Sequence, residues 1–144
     1  MYEEEFDNLK TKMLKYIMYK KRTEKEIRQK FSSFDENLVD DAIEYLKEAG
    51  YISDDEYIKR AMAEFININT LSLKEIKYKL MSKGLDKYLI EDYISSHYDE
   101  LLEYEIECAQ RIYNKKIITM EKPEIISFLI KKGYKEDSIK AIQE

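Results

Sequence analysis

The sequence feature that most constrains the fold is a self-similarity with a period of 49 residues. In each copy an isoleucine is followed four residues later by a second large apolar residue: Ile27 and Phe31, Ile76 and Leu80, Ile125 and Leu129. Copy one is two residues shorter than the others at the turn that follows this pair. Fixed periods of this size are typical of stacked supersecondary units. The pattern therefore predicts three repeats, residues 1–50, 51–98 and 99–144.

Each repeat is predicted to contain three helices, because apolar residues recur at helical spacing between recognisable helix ends. The middle helix of the first two copies begins with a capping box, Thr23 with Glu26 and Ser72 with Glu75. Further helix ends are indicated by N-cap residues, a first-turn proline and glycines suited to left-handed C-termini: Asp35, Asp86, Pro123, Gly84 and Gly133. We expect an all-α chain whose three tandem three-helix repeats form a curved, elongated body.

The composition agrees with this fold and indicates the cellular compartment. Only three Gly and one Pro interrupt the 144 residues, which favours helices over a sheet built on tight turns. The single cysteine excludes an internal disulfide, and the acidic N-terminus is unlike a secretion signal. No apolar run approaches the ~18 residues that a membrane span requires. We expect a cytoplasmic protein that acts as a monomer and does not enter a membrane.

Charge alternates with the repeat, although the chain as a whole carries a net charge of -5. The net charge of successive segments is +7 for residues 10–30, -7 for 31–64, +3 for 72–87, -7 for 91–107 and +5 for 111–135. Lys25 and Arg28 superpose on Lys74 and Lys77 after a shift of 49 residues, and all four are expected to point outward. If the repeats stack in register, these side chains form a basic stripe that suits phosphates or an acidic protein groove.

The sequence offers no constellation for catalysis, no metal cluster and no phosphate-binding loop, so neither an enzyme nor a cofactor is expected. Cys108 is predicted to be a buried structural thiol, and His97 to end a third helix. The acidic residues Glu103, Glu105 and Glu107 are interpreted as part of a solvated face. Five aromatic residues are assigned to the core rather than to base stacking: Tyr51, Tyr57, Phe65, Tyr93 and Tyr134.

Several segments resemble the RecX family, the bacterial regulators of the RecA recombinase. Residues 49–58, Ala-Gly-Tyr-Ile-Ser-Asp-Asp-Glu-Tyr-Ile, look like the family's junction between repeats one and two. Residues 80–85 and 129–134 look like its Leu-x-x-Lys-Gly-apolar turns. The likeness extends from about Leu9 to the last residue. One departure lies at residues 67–71, Asn-Ile-Asn-Thr-Leu, where the family often has a Gly-Pro pair after a basic residue.

The resemblance implies three-helix repeats that bind along the groove of the filament of RecA on single-stranded DNA. It implies a role in DNA repair, recombination and the SOS response, usually through inhibition of ATP hydrolysis and strand exchange or through filament disassembly. Because the chain is acidic, we expect contact with single-stranded DNA through the filament rather than tight binding to bare DNA.

The residues expected to contact the filament are the repeat-phased basic ones: Lys25, Arg28, Lys74, Lys77, Lys83, Lys131 and Lys132. Two other binding functions remain open. The chain could be a helical DNA-binding module of a transcription regulator, or a repeat module that binds only protein. The first would bind duplex DNA with a steep salt dependence. The second would keep its partner after nuclease treatment.

Overall fold

The computed structural model describes residues 1–144 and contains α-helices but no β-strand, so the prediction of an all-helical chain is confirmed. The helices are α1 (Tyr2–Tyr19), α2 (Glu24–Lys30), α3 (Glu36–Glu48), α4 (Asp54–Ile68), α5 (Leu73–Ser82), α6 (Lys87–Ser96), α7 (Tyr98–Lys116), α8 (Lys122–Lys132) and α9 (Glu136–Lys140). None of them combines the length and the apolar character needed to cross a bilayer.

The helix order is compatible with three three-helix repeats. Helices α1 to α3 lie within residues 1–50 and α4 to α6 within 51–98, while α7 begins one residue before the predicted start of repeat three. Contacts between residues divide the chain differently, into unit 1 (residues 1–59 and 83–85) and unit 2 (residues 60–82 and 86–144). The repeat boundaries therefore stay a prediction, and each unit is described by itself.

The core of unit 1 forms where α1 packs on α3. Buried Leu9, Met13 and Ile17 are spaced four residues apart, so they share one face of α1. They meet the apolar face of α3 and side chains from α2 and the loops, in a cluster completed by Ile27, Phe31, Leu38, Val39, Ala42, Ile43, Leu46 and Ile52. The repeat anchors Ile27 and Phe31 are thereby confirmed as core, whereas Phe34, also on the predicted apolar series of copy one, is exposed.

In unit 2 the long helix α7 packs on α8 and α9, and α5 packs on α6. The repeat anchors Ile76, Leu80, Ile125 and Leu129 are fully buried, as the 49-residue period predicts. They share the buried set of this unit with Met62, Leu73, Ile90, Leu101, Tyr104, Cys108, Ala109, Tyr113 and Tyr134. Burial of such side chains is worth about 1.5–3 kcal/mol each, so the four anchors contribute substantially to the stability of unit 2 together with the other buried residues.

Candidate binding surface

A buried hydroxyl at the start of α2 fixes one turn of unit 1. The Thr23 hydroxyl accepts a hydrogen bond from the Glu26 amide and donates one to the Lys83 carbonyl at 2.6 Å. The Glu26 carboxylate accepts from the Thr23 amide, which completes the predicted capping box. A hydroxyl can donate once while accepting, so Thr23 caps its own helix and also binds the turn at residues 83–85.

Unit 2 repeats this arrangement 49 residues later. The Ser72 hydroxyl accepts from the Glu75 amide and donates to the Lys132 carbonyl at 2.8 Å. The Glu75 carboxylate accepts from the Ser72 amide, so this predicted capping box is also present. Each of the two units therefore contains the same junction between a middle helix and the turn that ends the next middle helix.

The glycine of each junction lets a lysine stem pass close to the backbone. Gly84 and Gly133 have φ angles of 91° and 98°, the left-handed values predicted for them. A Cβ atom on Gly84 would lie 2.7 Å from the Cβ of Lys25, and one on Gly133 would lie 2.9 Å from the Cβ of Lys74. Both lysines are exposed, and neither forms an ion pair with a carboxylate.

The second basic residue of α2 and of α5 behaves differently, because it is paired with an acid on the helix that follows. The Arg28 guanidinium lies 2.6 Å from Asp40, and the Lys77 ammonium lies 3.0 Å from Glu91. Asp40 and Glu91 occupy equivalent positions once the shorter turn of copy one is counted. The side chains of Arg28 and Lys77 are partly exposed, but each is engaged by a carboxylate of its own unit. Part of the charge alternation therefore serves pairing within each repeat.

Glu24, at the start of α2, forms ion pairs with two cations. Its carboxylate lies 2.8 Å from the ammonium of Lys47 and 3.0 Å from Nε of Arg28. Burial disfavours the charged carboxylate, but the hydrogen bonds from Lys47 and Arg28 outweigh it and lower the pKa of Glu24. This network holds Arg28 against unit 1 and reduces its availability to a partner.

The remaining predicted contact residues lie near the turns. Lys83 and Lys131 are exposed and have no carboxylate partner. Lys132 is half-buried, 3.9 Å from Glu75 and 5.6 Å from the ring centre of Phe128. Of the seven predicted residues, four are thus free cations, namely Lys25, Lys74, Lys83 and Lys131.

A groove of about 540 Å³ opens in unit 2 beside the predicted residues Lys74 and Lys77. It is lined by residues of α5, α6, the start of α7 and the turn between α8 and α9: Leu73, Lys74, Lys77, Glu91, Ile94, Ser95, Tyr98, Gly133 and Lys135. The Lys135 ammonium sits 4.5 Å from the ring centre of Tyr98. Three lysines against one glutamate give the groove a positive charge over an aliphatic base.

Glu105, on α7, fixes two walls of this groove from inside the protein. Its side chain is fully buried, and its carboxylate accepts from the backbone amides of Leu73 and Lys135, both at 2.8 Å. The Ser138 hydroxyl donates a third hydrogen bond at 2.7 Å. Because Leu73 begins α5 and Lys135 caps α9, one carboxylate satisfies helix-start amides that would otherwise lack partners.

The loop between α4 and α5 is held by three consecutive carbonyls. The Asn69 carbonyl accepts from the Cys108 thiol and the Arg111 guanidinium. Tyr134 donates to the Thr70 carbonyl at 3.1 Å, and Tyr104 to that of Leu71 at 2.8 Å. Asn69 itself has a φ of 68°, a left-handed value that asparagine tolerates better than most residues. Asn69 thus provides a left-handed backbone conformation within residues 67–71, the segment that departs from the family's Gly-Pro pattern.

Three of the four donors to this loop are buried, namely Cys108, Tyr104 and Tyr134, whereas Arg111 is exposed. Burial raises the pKa of the Cys108 thiol and, more strongly, the pKa values of the Tyr104 and Tyr134 hydroxyls. All three side chains therefore remain protonated at neutral pH and keep their hydrogen-bond donors. No group of three or more His, Cys, Asp or Glu side chains is arranged to hold a metal ion.

Comparison with known proteins identifies the family. The chain is 34% identical over 137 residues to a protein of Finegoldia magna named regulatory protein RecX, and it covers 67% of that relative. It is 31% identical over 140 residues to the regulatory protein RecX of Clostridium botulinum strain Eklund 17B, of which it covers 64%. The chain belongs to the RecX family.

The structural comparison gives the same fold. The crystal structure of RecX from Lactobacillus salivarius matches with a TM-score of 0.80 and 24% identity, over 95% of this chain and 93% of that one. A second RecX crystal structure matches with a TM-score of 0.78. No family model matches the sequence. The chain spans about two thirds of the length of the curated RecX relatives named above.

The structure corrects two sequence predictions about the burial of individual side chains and confirms three others. Glu105 was assigned to a solvated face but is fully buried. Tyr51 was assigned to the core but is 43% exposed, whereas Tyr134 is buried as predicted. Cys108 is buried and reduced. His97 ends α6 as expected, stacked on Tyr93 with Nδ1 2.9 Å from its carbonyl oxygen.

Sequence reasoning missed two groove residues, Tyr98 and Lys135. Lys135 follows a glycine turn, and Tyr98 begins α7, so neither falls on the apolar or basic periodicity that defines the repeat. Glu105 carried a usable signal, since it occupies an apolar position of the α7 series. A carboxylate at a core position of a helix indicates buried hydrogen-bond donors, because burying a charge without such donors carries a large free-energy cost.

Proposed function

We propose that this chain binds the filament of RecA on single-stranded DNA and inhibits its ATPase, recombinase activity and assembly. The proposal assigns it to the cytoplasm as a monomer that reaches single-stranded DNA through the filament. Membership of the RecX family is the observation that carries this proposal. The exposed basic residues at the helix-turn junctions provide chemistry that suits an acidic polymer.

The seven predicted basic residues do not contribute equally to this proposal. Lys25 and Lys74 occupy the same position of their repeats and are exposed without ion pairs, so binding through them breaks no existing contact. Lys83 and Lys131 share this property. Arg28, Lys77 and Lys132 each lie within 4 Å of a carboxylate, so they would have to exchange that partner for the filament. Lys25 and Lys74 are therefore the foremost candidates.

Inhibition without catalysis follows from differential binding. A protein that binds one state of the filament more tightly than another shifts the balance between those states by its difference in binding free energy. A folded protein bound in the groove of the filament would also exclude competing DNA strands from that groove. No reactive side chain is needed for either effect.

Binding to duplex DNA as a transcription regulator is the less favoured reading. A major-groove helix needs several free basic and polar side chains on one face. On α2 and α5 the lysines Lys25 and Lys74 are free, but the next basic residue of each helix, Arg28 or Lys77, is already paired with carboxylates. A purely protein-binding module remains the second candidate, favoured by the apolar base of the groove in unit 2.

Co-sedimentation and ATP hydrolysis together test the proposal. RecA filaments are formed on single-stranded DNA with ATP, and the chain is added at micromolar concentration. The proposal expects the chain to pellet with the filament and to lower the steady-state ATPase rate. Absence of both effects would overturn it. Repetition with DNA but no RecA separates filament binding from binding to bare DNA.

A further inference from the structure

The geometry of unit 2 points to a docking site for an extended acidic segment of a protein partner, with an apolar side chain as its anchor. The site is the groove between α5, α6 and the α8–α9 turn. This inference rests on the proposed function, because it assigns the groove to the protein component of the filament rather than to its DNA.

The charge and shape of the groove favour such a segment. Lys74 and Lys135 reach its rim without a carboxylate partner, and the Lys77 ammonium is balanced by Glu91. Between them lie Leu73, which is buried, and Ile94, which is half-buried. A volume of about 540 Å³ falls within the range of ligand pockets and admits one or two apolar side chains. An acidic segment with an apolar anchor complements both features.

Single-stranded nucleic acid fits the same groove less well. Proteins that bind single strands combine a basic track with open aromatic faces on which bases stack. Tyr98 is the only aromatic residue of the groove, and the Lys135 ammonium lies 4.5 Å from its ring centre. The Glu91 carboxylate beside Lys77 would repel a phosphate backbone that passed along α6. A peptide can place its acidic groups at the two free lysines alone.

The groove is also preorganised, which lowers the cost of binding. Glu105 ties the Leu73 amide to the Lys135 amide through one buried carboxylate. Ser72 binds the Lys132 carbonyl, and Gly133 lets the Lys74 stem pass. The free cations of the two walls are thus held on a fixed backbone before a partner arrives.

A fluorescein-labelled short peptide with Leu and Phe flanked by Asp and Glu tests the inference by anisotropy, beside a labelled oligothymidine. The decisive variant is Ser95→Trp, because Ser95 is exposed, lines the groove and carries no charge. Ser96→Trp is the matched control, since Ser96 is exposed on the same helix but does not line the groove. A peptide with Asn and Gln in place of Asp and Glu tests the charge requirement.

We expect the acidic peptide to bind the unaltered chain and Ser96→Trp equally, and Ser95→Trp at least about tenfold more weakly. Lys74→Glu should weaken binding to a similar extent, and the neutral peptide should bind poorly. Equal binding of the acidic peptide to both tryptophan variants, or no binding at all, would overturn the inference. The inference would also be overturned if Ser95→Trp lost binding of the oligothymidine but kept binding of the peptide. That result would assign the groove to nucleic acid.

Filament co-sedimentation of the same two variants separates this inference from the proposed function. If both variants pellet with the filament as the unaltered chain does, the proposed function stands and the groove assignment fails. If the unaltered chain itself does not pellet, the proposed function fails, and the peptide titration alone decides the chemistry of the groove.

Discussion

Glu105 is the residue whose environment departs furthest from its type. A carboxylate that is fully buried without a cation survives because three donors converge on it, two of them amides at helix starts. Buried ionised groups are tolerated only with such complete hydrogen bonding. The position therefore depends on a charge that accepts from both sides, which no neutral side chain of similar size can do.

The variant Glu105→Gln tests this dependence. The amide nitrogen of glutamine cannot accept, so at least one buried donor among Leu73, Lys135 and Ser138 loses its partner. We expect the free energy of unfolding to fall by about 2 to 3 kcal/mol, measured by urea titration followed by circular dichroism. The control Glu103→Gln, at an exposed site on the same helix, should change it by less than about 0.5 kcal/mol. Equal unfolding midpoints for the two variants would refute the role of Glu105.

Cys108 gives a second test at the level of one residue. The thiol is fully buried, it donates to the Asn69 carbonyl, and burial raises its pKa. Because the thiolate is the reactive form, native protein should react with iodoacetamide at pH 8 at least about a hundredfold more slowly than protein in urea. Mass spectrometry of quenched samples gives both rates. Similar rates in the two conditions would contradict the burial of the thiol.

At the scale of the helix, the repeated junction is the main structural device. Thr23 and Ser72 each cap a middle helix and bind the carbonyl that precedes the glycine of a turn. The turn positions Lys25 in unit 1 and Lys74 in unit 2, so helix capping and placement of the binding residues have the same cause. A change in the cap should therefore affect stability first and binding second.

Thr23→Ala and Ser72→Ala test the junction. Each removes an N-cap and leaves a carbonyl without its donor, so each should lower the free energy of unfolding by about 2 kcal/mol. Thr23→Ser and Ser72→Thr keep the hydroxyl and should recover most of this loss. Urea unfolding of the four variants provides the comparison. Alanine variants as stable as the serine and threonine exchanges would show that the junction contributes nothing.

The helices themselves were largely predictable, because their signals are local. Capping boxes, the Asp35 cap and the two left-handed glycines depend on spacing along the chain, and the structure has each of them where the sequence indicates. Burial of the isoleucine anchors was predictable for the same reason, since helical periodicity determines which side chains share a face.

The candidate site was predicted less completely, because its geometry depends on contacts between distant residues. The exposure of Lys25 and Lys74 followed from the repeat, but the pairing of Arg28 with Asp40 depends on how α2 lies against α3. The groove residue Lys135 contacts the ring of Tyr98, which lies 37 residues earlier in the sequence, and no local sequence pattern predicts such a contact. Periodicity assigns faces to helices, whereas grooves arise only where several helices meet.

At the scale of the whole molecule, an acidic chain of net charge -5 is proposed to bind an acidic filament. Local charge can overcome this opposition, because exposed lysines without ion pairs recur at the helix-turn junctions, whereas several acids are paired with other basic residues. Alignment of the junction lysines from both units into one basic stripe stays a prediction. Filament binding should weaken as salt rises, as expected for contacts between exposed charges.

The affinity of charge-reversed variants for the RecA filament tests the central claim most directly. We expect Lys25→Glu combined with Lys74→Glu to raise the Kd at least about tenfold in co-sedimentation, with an unchanged unfolding midpoint, because both side chains are exposed and unpaired. The matched control combines Lys15→Glu with Lys79→Glu, two exposed lysines outside the junctions, and Lys79 lies about 140° around α5 from Lys74. The account predicts filament affinity close to that of the unaltered chain for the control pair. Equal loss in both pairs, or no loss in either, would contradict it.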